Sequence, residues 1–321
     1  MRILLICPAP RGSRQGNRVT ALRWARLLRA LGHHVSLQAP SAPLAPADVL
    51  IALHARRSAA AVRRAKQRQP SRPIIVALTG TDVYHDLRRD RAAQRSVEIA
   101  DRLVVLQPLA IRQLPRAQRH KARVIYQSVV PPRRRRTPGR RFFDICVLSH
   151  LRPVKDPLRT ARASRRVPPS SRLRVRHAGR ALTPALAAAA AAEMQHNLRY
   201  RWIGERSHAQ AMYLLGRSHV LVLSSRLEGG ANVIGEAAVR GVPVLASRID
   251  GNVGLLGDDY PGYFPVGKTA ALAALMVRAE RDAHFYRALQ RALRRAAAHF
   301  DARREKNAWR ALLREVTADR R

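Results

Sequence analysis

The sequence predicts an α/β protein made of two parallel-sheet domains, and three observations lead to that fold class. Apolar runs of strand length alternate with helical patterns from one end of the chain to the other. The apolar runs are continuous, which is typical of parallel strands that helices cover on both faces. The pattern also stops and restarts around a proline-rich stretch near the middle, so the 321 residues divide into two halves of ordinary domain size.

The first half, residues 1–130, is predicted to be a Rossmann-like N-terminal domain. Helical patterns cover residues 19–31 and 55–67, and the first of them places Trp24 and Leu28 on one face while arginines occupy the other. The predicted strands of this half are residues 3–7, 35–38, 49–53, 74–78, 103–106 and 124–126.

The second half repeats the alternation after a break. Residues 131–140 are predicted to be a linker, because this region is rich in proline and arginine and has no apolar periodicity. Residues 141–290 form the predicted C-terminal domain, with a helix over 183–196, and residues 291–321 are predicted to be a helix packing back on the N-terminal domain. Two such domains predict a ligand site in a central cleft, at the carboxyl ends of the strands. The strands of this half are residues 142–148, 173–177, 198–202, 220–223 and 242–246.

The net charge of +40 comes from 61 basic residues, only five of which are lysine. The arginines are spread over every segment among alanine and proline, whereas a nucleic-acid-binding protein concentrates basic charge on one stripe or interleaves it with aromatic residues. Aromatic residues make up only 5% of the chain. Compositional drift toward arginine therefore explains the charge better than a specific nucleic-acid site, although the field still attracts anionic ligands.

Cysteine usage and hydropathy predict a cytoplasmic protein without a metal. Cys7 and Cys146 are far apart in the sequence and have no metal-ligand spacing, which suits a reducing cytosol. The apolar start of the chain is too short for a secretion signal and is interpreted as a first buried strand. No stretch reaches the roughly 18 uncharged apolar residues of a membrane span. Histidine and acid spacings also lack a ligand pattern, so no metal is predicted.

The most informative segment covers residues 221–247. A strand ends at Ser224, a glycine pair follows, and a helix begins near Asn232. Such a turn presents bare backbone amides at a helix N-terminus, which suits a diphosphate. The residues of this turn are Gly229, Gly230, Ala231 and Asn232.

Two carboxylates frame the turn, Glu228 in the loop and Glu236 in the helix. With the Gly-x-Pro-Val that follows at Gly241, they resemble the Glu-x7-Glu signature of the retaining GT-B enzymes of glycosyltransferase family four. The resemblance implies that Glu236 holds the ribose hydroxyls of a nucleotide sugar and that Glu228 contacts the donor sugar near the reacting carbon. Both roles suit carboxylates, which accept two hydroxyl hydrogens and stabilise oxocarbenium character.

A second segment follows the first strand of the second half. Family four usually has Gly-Arg-Leu here and then a lysine, which together neutralise the leaving diphosphate. In this sequence His150 stands in the expected place of the arginine, Arg152 follows two residues later, and Lys155 comes next. The resemblance therefore implies a cationic clamp made of Lys155 and Arg152 with His150 beside the donor, and leaves open which arginine replaces the usual one.

Two loops of the N-terminal half are predicted to form the acceptor side. Both follow strands that end at the same edge of the sheet, and they carry hydroxyls, amides and arginines. Alternatively they are an ordinary strand-to-helix turn and a helix cap led by Thr79 or Asp82. The candidate residues are Arg11, Gly12, Arg14, Gly16, Asn17 and Arg18 in the first loop, and Thr79, Gly80, Thr81 and Asp82 in the second.

Beyond the superfamily, the chain resembles the selenosugar synthases of selenoneine biosynthesis. The likeness rests on Gly16-Asn-Arg-Val-Thr-Ala21, Thr79-Gly-Thr-Asp82, His150-Leu-Arg-Pro-Val-Lys-Asp-Pro157, Glu228-Gly-Gly-Ala-Asn232, Asp250-Gly-Asn-Val-Gly-Leu-Leu-Gly257 and Tyr260-Pro-Gly-Tyr263. It implies displacement of UDP from a UDP-hexose, UDP-N-acetylglucosamine or UDP-glucose, by selenophosphate, with no cofactor besides the donor substrate.

An anionic selenium nucleophile needs cations but no general base. The first loop fits this requirement because no carboxylate lies within residues 8–20. We therefore expect Arg11, Arg14, Arg18, Thr79 and Thr81 to form an anion pocket.

Two other functions remain open at this point. The chain could transfer a hexose to a lipid or polysaccharide on an anionic membrane, with the basic face of residues 19–31 as the docking surface. It could instead be a basic nucleic-acid-binding protein on a degenerate transferase scaffold, although the two retained glutamates argue against this. The identity of the nucleotide base, the anomeric outcome and the oligomeric state are not encoded in a readable motif.

Overall fold

The computed structural model describes residues 1–13, 15–80, 82–132, 134 and 137–318. The chain divides into two compact units. The N-terminal unit consists of Met1–Ser128 and Asp301–Arg321, and the C-terminal unit is Val129–Phe300.

The N-terminal unit contains one six-stranded sheet in which every pair of neighbouring strands is parallel. The strand order is β2-β1-β3-β4-β5-β6, so the chain changes direction across the sheet after β2. The strands are β1 (Arg2–Ile6), β2 (His34–Gln38), β3 (Val49–Leu53), β4 (Ile74–Leu78), β5 (Arg102–Val105) and β6 (Ala122–Val124). The helices between them are α1 (Gly16–Arg29), α2 (Ala59–Arg68), α3 (Leu87–Arg89) and α4 (Arg91–Ile99), with a π-helical turn at Asp82–Asp86.

The continuous apolar strands of this unit are explained by burial on both faces of the sheet. In β1, Leu4 belongs to one hydrophobic cluster and its neighbour Leu5 belongs to the other. In β4 the same alternation places Val76 and Ala77 in opposite clusters. Successive side chains of a strand point to opposite faces, so a strand covered by helices on both sides has no polar positions.

The C-terminal unit contains a second parallel sheet of six strands, in the order β12-β11-β10-β7-β8-β9. The strands are β7 (Phe143–Leu148), β8 (Leu173–Ala178), β9 (Tyr200–Trp202), β10 (Val220–Leu223), β11 (Val244–Ser247) and β12 (Tyr263–Phe264). The helices are α5 (Arg159–Ser164), α6 (Pro184–His196), α7 (His208–Gly216), α8 (Asn232–Arg240), α9 (Asp250–Leu256), α10 (Thr269–Arg281) and α11 (Ala283–Ala297). The first strand, β7, lies between β8 and β10, so this is the doubly wound order with a topological switch point between β7 and β10.

The chain returns to the N-terminal unit through α12 (Ala302–Ala318). Trp309 of this helix packs edge-on against Trp24 of α1, with ring centroids 4.8 Å apart. The carboxylate of buried Glu305 accepts hydrogen bonds from Trp24 Nε1 at 2.8 Å and from the backbone N–H of Ser128 at 2.8 Å. One carboxylate therefore ties α12 to the last residue of the first segment.

The predicted two-domain parallel α/β fold is confirmed. The prediction missed the short strand β12, and residues 291–321, predicted as one helix, are divided between the end of α11 and α12. The other differences are at the ends of elements. The strand predicted over 242–246 begins at Val244, because the backbone N–H of Val242 closes α8 by donating to the carbonyl of Ala237. The returning segment begins at Asp301 and not at residue 291, because α11 continues to Ala297 within the C-terminal unit. Among the residues that the structure describes, no helix combines the length and the hydropathy that a bilayer span requires.

The burial of Glu305 leads to a test on a single helix. Replacing Glu305 with alanine leaves buried donors on Trp24 and Ser128 without an acceptor, so we expect the free energy of unfolding to fall by about 3 kcal/mol. Glu315 is the matched control, since it lies on the same helix but forms half-exposed ion pairs with Arg102 and Arg123. Glu315→Ala should cost about 1 kcal/mol or less. Urea denaturation of the full chain measures both values, and equal losses would contradict the role given to Glu305.

Candidate functional site

The candidate site lies at the carboxyl edge of the C-terminal sheet, where the switch point brings two loops together. The loop after β7 covers residues 149–158, and the loop after β10 covers residues 224–231. Because β7 and β10 are parallel neighbours, both loops leave the sheet at the same edge. Crevices at such a switch point are the usual ligand sites of doubly wound sheets.

An ion pair joins the two loops. Lys155 ends a short 3-10 turn, Pro153–Lys155, and its ammonium group binds the carboxylate of Glu228. The two side chains are only 16% and 10% exposed, so water screens the pair weakly. Ser225 Oγ donates a second hydrogen bond to Glu228 Oε1 at 2.5 Å. Two residues predicted separately from the sequence are therefore in direct contact.

Backbone contacts hold both loops beneath this ion pair. The backbone N–H of Arg226 donates to the carbonyl of Val154 at 2.8 Å, and Ser224 Oγ lies 3.0 Å from the carbonyl oxygen of Asp156. Asp156 has left-handed backbone geometry, with φ of 44°, and its carboxylate pairs with Arg159 Nε at 2.8 Å. Contacts within and between the two loops therefore fix the positions of Lys155 and Glu228.

Two glycines permit close backbone approaches at this edge. A Cβ atom on Gly251, in the first turn of α9, would lie 2.0 Å from the carbonyl oxygen of Glu228. A Cβ atom on Gly179, directly after β8, would lie 1.8 Å from the carbonyl oxygen of Ser149. Neither approach tolerates a larger residue, so both glycines determine where the loops lie.

The loop after β7 is also held by a buried histidine. His177 Nε2 lies 3.0 Å from the carbonyl oxygen of Ser149, and its Nδ1 lies 3.0 Å from the hydroxyl of Tyr200. Burial lowers the pKa of His177 to about 4, so the ring is neutral at pH 7. A neutral ring that donates from Nε2 to Ser149 and accepts from Tyr200 satisfies both contacts.

Helix α8 begins with an open N-terminus at this edge. Its N-cap, Ala231, offers no side-chain acceptor, and its first turn contains no acidic residue. The backbone N–H groups of a helix start carry partial positive charge and lack partners within the helix. Asn232 Oδ1 is buried without a hydrogen-bond partner in the part of the chain that the structure describes. The turn formed by Gly229, Gly230 and Ala231 thus leads into a helix end that suits an anion.

Glu236 lies one turn further along α8 and has a partner that the sequence did not reveal. His208 Nε2, at the start of α7, lies 2.9 Å from Glu236 Oε1. The hydrogen bond to Glu236 raises the pKa of His208 above its ordinary value. The two residues are far apart in the chain, and only the packing of α7 beside α8 brings them together. A capping box at Ser207 marks the start of α7, but no sequence pattern links it to Glu236.

His150 and Arg152 occupy the same loop as Lys155 but do not join the ion pair. His150 Nδ1 accepts a hydrogen bond from the backbone N–H of Arg180 at 3.1 Å, and burial lowers the pKa of its ring. The Arg152 guanidinium makes no hydrogen bond or ion pair with any other residue that the structure describes. It is therefore a cation available for a ligand, whereas Lys155 is already paired.

In the N-terminal unit, the two predicted acceptor loops are in contact. Thr79 Oγ1 donates to Asn17 Oδ1 at 2.6 Å, which joins the loop after β4 to the start of α1. Gly12 has a φ of 77°, a left-handed conformation that glycine adopts without strain, and α1 begins at Gly16. Arg14 and Thr81 lie outside the described residues. Arg11 is exposed at the turn before α1.

Asp82 and Arg18 have different environments within this region. Asp82 is fully buried, and its carboxylate accepts hydrogen bonds from the backbone N–H groups of Ala55, Thr79 and Gly80. Asp82 therefore holds the loop after β4 in place, and its carboxylate oxygens are directed toward the backbone. Arg18 Nε is buried and has no hydrogen-bond partner among the residues described.

His54 is a buried neighbour of Asp82 that the sequence did not single out. It has a φ of 71°, which is rare for a residue other than glycine. Its ring lies 4.0 Å from Asp82 and 3.8 Å from Asp86, and burial lowers its pKa.

The two cysteines, Cys7 and Cys146, lie in the interiors of the two units. Both thiols are buried and free, and burial raises the pKa of Cys146 to about 12. Within the described ranges, no group of three or more histidine, cysteine or acidic side chains is arranged to hold a metal ion.

With the fold and site described, comparisons identify what the chain is similar to. The family model described as glycosyl transferases group 1 matches residues 135–299, just over half of the chain. No curated protein has significant sequence similarity to this chain.

Several solved structures share its fold over nearly the whole length. Alr3699/HepE from Anabaena in complex with UDP has a TM-score of 0.77 and 17% identity, covering 98% of this chain and 100% of that one. The same protein with UDP-glucose gives a TM-score of 0.75 and 16% identity, with 99% and 100% covered. Sucrose-phosphate synthase from Thermosynechococcus elongatus has a TM-score of 0.80 and 17% identity, with 99% of both chains covered. These similarities establish the GT-B fold.

The close approach at Gly251 leads to a stability test of the loop. Gly251→Ala forces a Cβ atom against the backbone of Glu228, so we expect it to lower the free energy of unfolding by about 1–3 kcal/mol. Gly139→Ala is the matched control, because its Cβ would meet only the Arg217 side chain at 4.0 Å. The control should change stability by less than about 0.5 kcal/mol. Urea denaturation measures both, and a neutral Gly251→Ala would show that the two backbones are not in contact.

Proposed function

The chain belongs to the group 1 glycosyl transferase family, and we propose that it displaces UDP from a UDP-hexose with selenophosphate, forming a selenosugar for selenoneine biosynthesis. The observation that carries the donor half of this proposal is the Lys155–Glu228 ion pair beside the open N-terminus of α8. The acceptor half rests on the N-terminal loops and on the resemblance described above.

The diphosphate of the donor is proposed to lie at the start of α8. The N–H groups of that helix end have no side-chain cap, and the loop after β7 carries the cations Lys155 and Arg152. Backbone amides at a helix N-terminus bind phosphate oxygens, and a cation stabilises the charge that a leaving nucleoside diphosphate gains. Arg152, whose guanidinium has no hydrogen-bond partner in the described structure, is proposed to take the role of the missing family arginine.

Glu236 is proposed to bind the ribose hydroxyls. Its side chain is 17% exposed, which leaves part of the carboxylate accessible to a ligand. A carboxylate has enough lone pairs to accept two hydroxyl hydrogens while keeping one protein donor. The structurally similar protein Alr3699/HepE has been crystallised with UDP and with UDP-glucose, which supports the proposal that UDP is the nucleotide for this chain.

Glu228 is proposed to face the anomeric carbon of the hexose. Lys155 and Ser225 hold its carboxylate in place, so its negative charge is oriented before the substrate binds. A preoriented carboxylate stabilises the positive character that the sugar ring develops in the transition state. A bound diphosphate would share Lys155 with Glu228, which places the cation between the leaving group and the sugar.

The reaction balances without a general base. A selenium lone pair of selenophosphate forms the carbon–selenium bond as the bond between the anomeric carbon and the β-phosphate oxygen breaks, and the selenium of the product keeps its phosphoryl group. That oxygen keeps the electron pair and leaves as UDP, and no proton has to be removed from the anionic nucleophile. A sugar or lipid alcohol would instead require a base to accept its proton.

The N-terminal unit is proposed to bind selenophosphate. Arg11 is exposed, and Arg18, whose side chain interacts with the Cys7 thiol, has a buried Nε without a hydrogen-bond partner among the described residues. The contact between Thr79 and Asn17 brings hydroxyl and amide groups into the same region. The carboxylate of Asp82 is fully buried and accepts hydrogen bonds from the backbone N–H groups of Ala55 and Gly80, so it supports the loop and is not part of the proposed pocket. Arg14 and Thr81 remain predictions for the same pocket.

The test is turnover of purified protein with UDP-N-acetylglucosamine or UDP-glucose and selenophosphate. We expect release of UDP and a selenium-containing sugar by mass spectrometry. Glu228→Gln should lower kcat at least about 100-fold, because it removes the negative charge that stabilises the positive character of the sugar ring in the transition state. The affinity for UDP should change little. Glu236→Ala should weaken UDP binding about tenfold or more.

The control variant is Glu98→Gln, an exposed acid on α4 that forms a surface ion pair with Arg95, which should behave as the wild type. Absence of UDP-hexose binding would contradict the donor assignment. UDP release that requires a lipid or polysaccharide acceptor, with no selenium product, would replace the acceptor assignment. The apolar residues Val19 and Leu22, 44% and 41% exposed on α1, are the observation favouring that outcome.

A further inference from the structure

We infer that His208 is a positioning residue for the ribose subsite, which holds the carboxylate of Glu236 in the orientation that recognises the ribose hydroxyls. This inference rests on the proposed function, because it assumes that Glu236 binds a nucleotide. His208 lies outside the Glu-x7-Glu signature, and it is proposed to act through Glu236 and not on a reacting atom.

The backbone of His208 is fixed by the start of α7. Ser207 Oγ accepts a hydrogen bond from the backbone N–H of Gln210 at 3.2 Å. In return, Gln210 Oε1 accepts one from the backbone N–H of Ser207 at 3.0 Å. This reciprocal capping box holds the first turn of the helix, and His208 is the first residue of that turn. The ring therefore projects toward α8 from a fixed point.

The contact itself selects one oxygen of the carboxylate. His208 Nε2 lies 2.9 Å from Glu236 Oε1, whereas Arg240, one turn along α8, donates to the backbone carbonyl of Glu236 at 3.2 Å. The histidine is thus the side chain that directs the carboxylate. Each carboxylate oxygen accepts two hydrogen bonds, so the second lone pair of Oε1 and both lone pairs of Oε2 stay available to hydroxyls.

The direction of the carboxylate matters more for hydroxyl recognition than for phosphate binding. A free glutamate side chain samples several rotamers, and the entropy of fixing it is lost on each binding event. The His208 side chain is 75% exposed, so it lowers that cost by the modest amount expected of a surface pair. Its loss should therefore reduce the preference for a nucleotide with a 2′-hydroxyl while contacts to the diphosphate remain.

Protonation of His208 strengthens the pair under mildly acidic conditions. The hydrogen bond to Glu236 raises the pKa of the ring, whereas burial and the charge of Arg240 lower it. A raised pKa means that the ionic form of the pair is complete below the ordinary histidine value and is lost as pH rises through the raised pKa. Above that range the contact is an ordinary hydrogen bond.

The test compares binding of UDP and 2′-deoxy-UDP at pH 6 by calorimetry, using the full chain. We expect the wild type to prefer UDP by about tenfold and His208→Ala to reduce that preference to about threefold, because one charge-assisted contact is disordered. His208→Gln keeps a donor at the position of Nε2 and should recover most of the preference. In a Glu236→Gln background, His208→Ala should cause no further change.

A second readout reports the pair without a nucleotide. The pKa of His208, followed by NMR of its ring, should fall toward the ordinary histidine value in Glu236→Gln. His196→Ala is the matched control for binding, since His196 is an exposed histidine of the same unit whose Nδ1 lies 2.9 Å from the carbonyl oxygen of Ala192 on its own helix.

The outcomes separate this inference from the proposed function. If UDP does not bind the wild type, the donor proposal fails and the inference fails with it. If UDP binds and depends on Glu236, but His208→Ala leaves the preference for the 2′-hydroxyl unchanged, only the inference is overturned. An equal effect of His208→Ala in the Glu236→Gln background would also overturn it, because the histidine would then not act through Glu236.

Discussion

The ion pair between Lys155 and Glu228 is the interaction on which the carboxyl edge of the C-terminal sheet depends. It joins the loops after β7 and β10, the two strands that flank the switch point. Both side chains are largely buried, so the pair must be well placed to offset the desolvation of its charges. Ser225 supplies the additional hydrogen bond, and Gly251 allows the backbone of α9 to support the loop.

The scarcity of acids makes this arrangement informative. The chain has 21 acidic residues against 61 basic ones, and several buried acids have structural roles. Glu305 holds α12 to the N-terminal unit, Asp144 binds two arginines of β8, and Asp82 shapes the loop after β4. Glu228 and Glu236 differ because they lie at a sheet edge beside an open helix end. Their position, and not their number, is the basis of the proposal that they bind a nucleotide sugar.

Much of this fold could be predicted from the sequence, because continuous apolar strands and helix periodicity depend on local residue order. The helix start at Asn232 is also local, and Glu228, Glu236 and Lys155 could be selected by spacing and by the rarity of lysine. The contact of His208 with Glu236 could not, since it arises from packing between α7 and α8. The inward orientation of Asp82 and the close approaches at Gly179 and Gly251 likewise depend on tertiary structure.

The most direct measurement of the central claim is amide hydrogen exchange of the full chain with and without UDP-glucose. If the nucleotide sugar is held at the switch point, exchange slows in residues 149–158 and 228–236, where the loops and the first turns of α8 would contact the ligand. Residues 172–176, at the opposite end of the sheet, stay unchanged. Protection that is absent from both loops, or that is confined to other parts of the chain, would contradict the account.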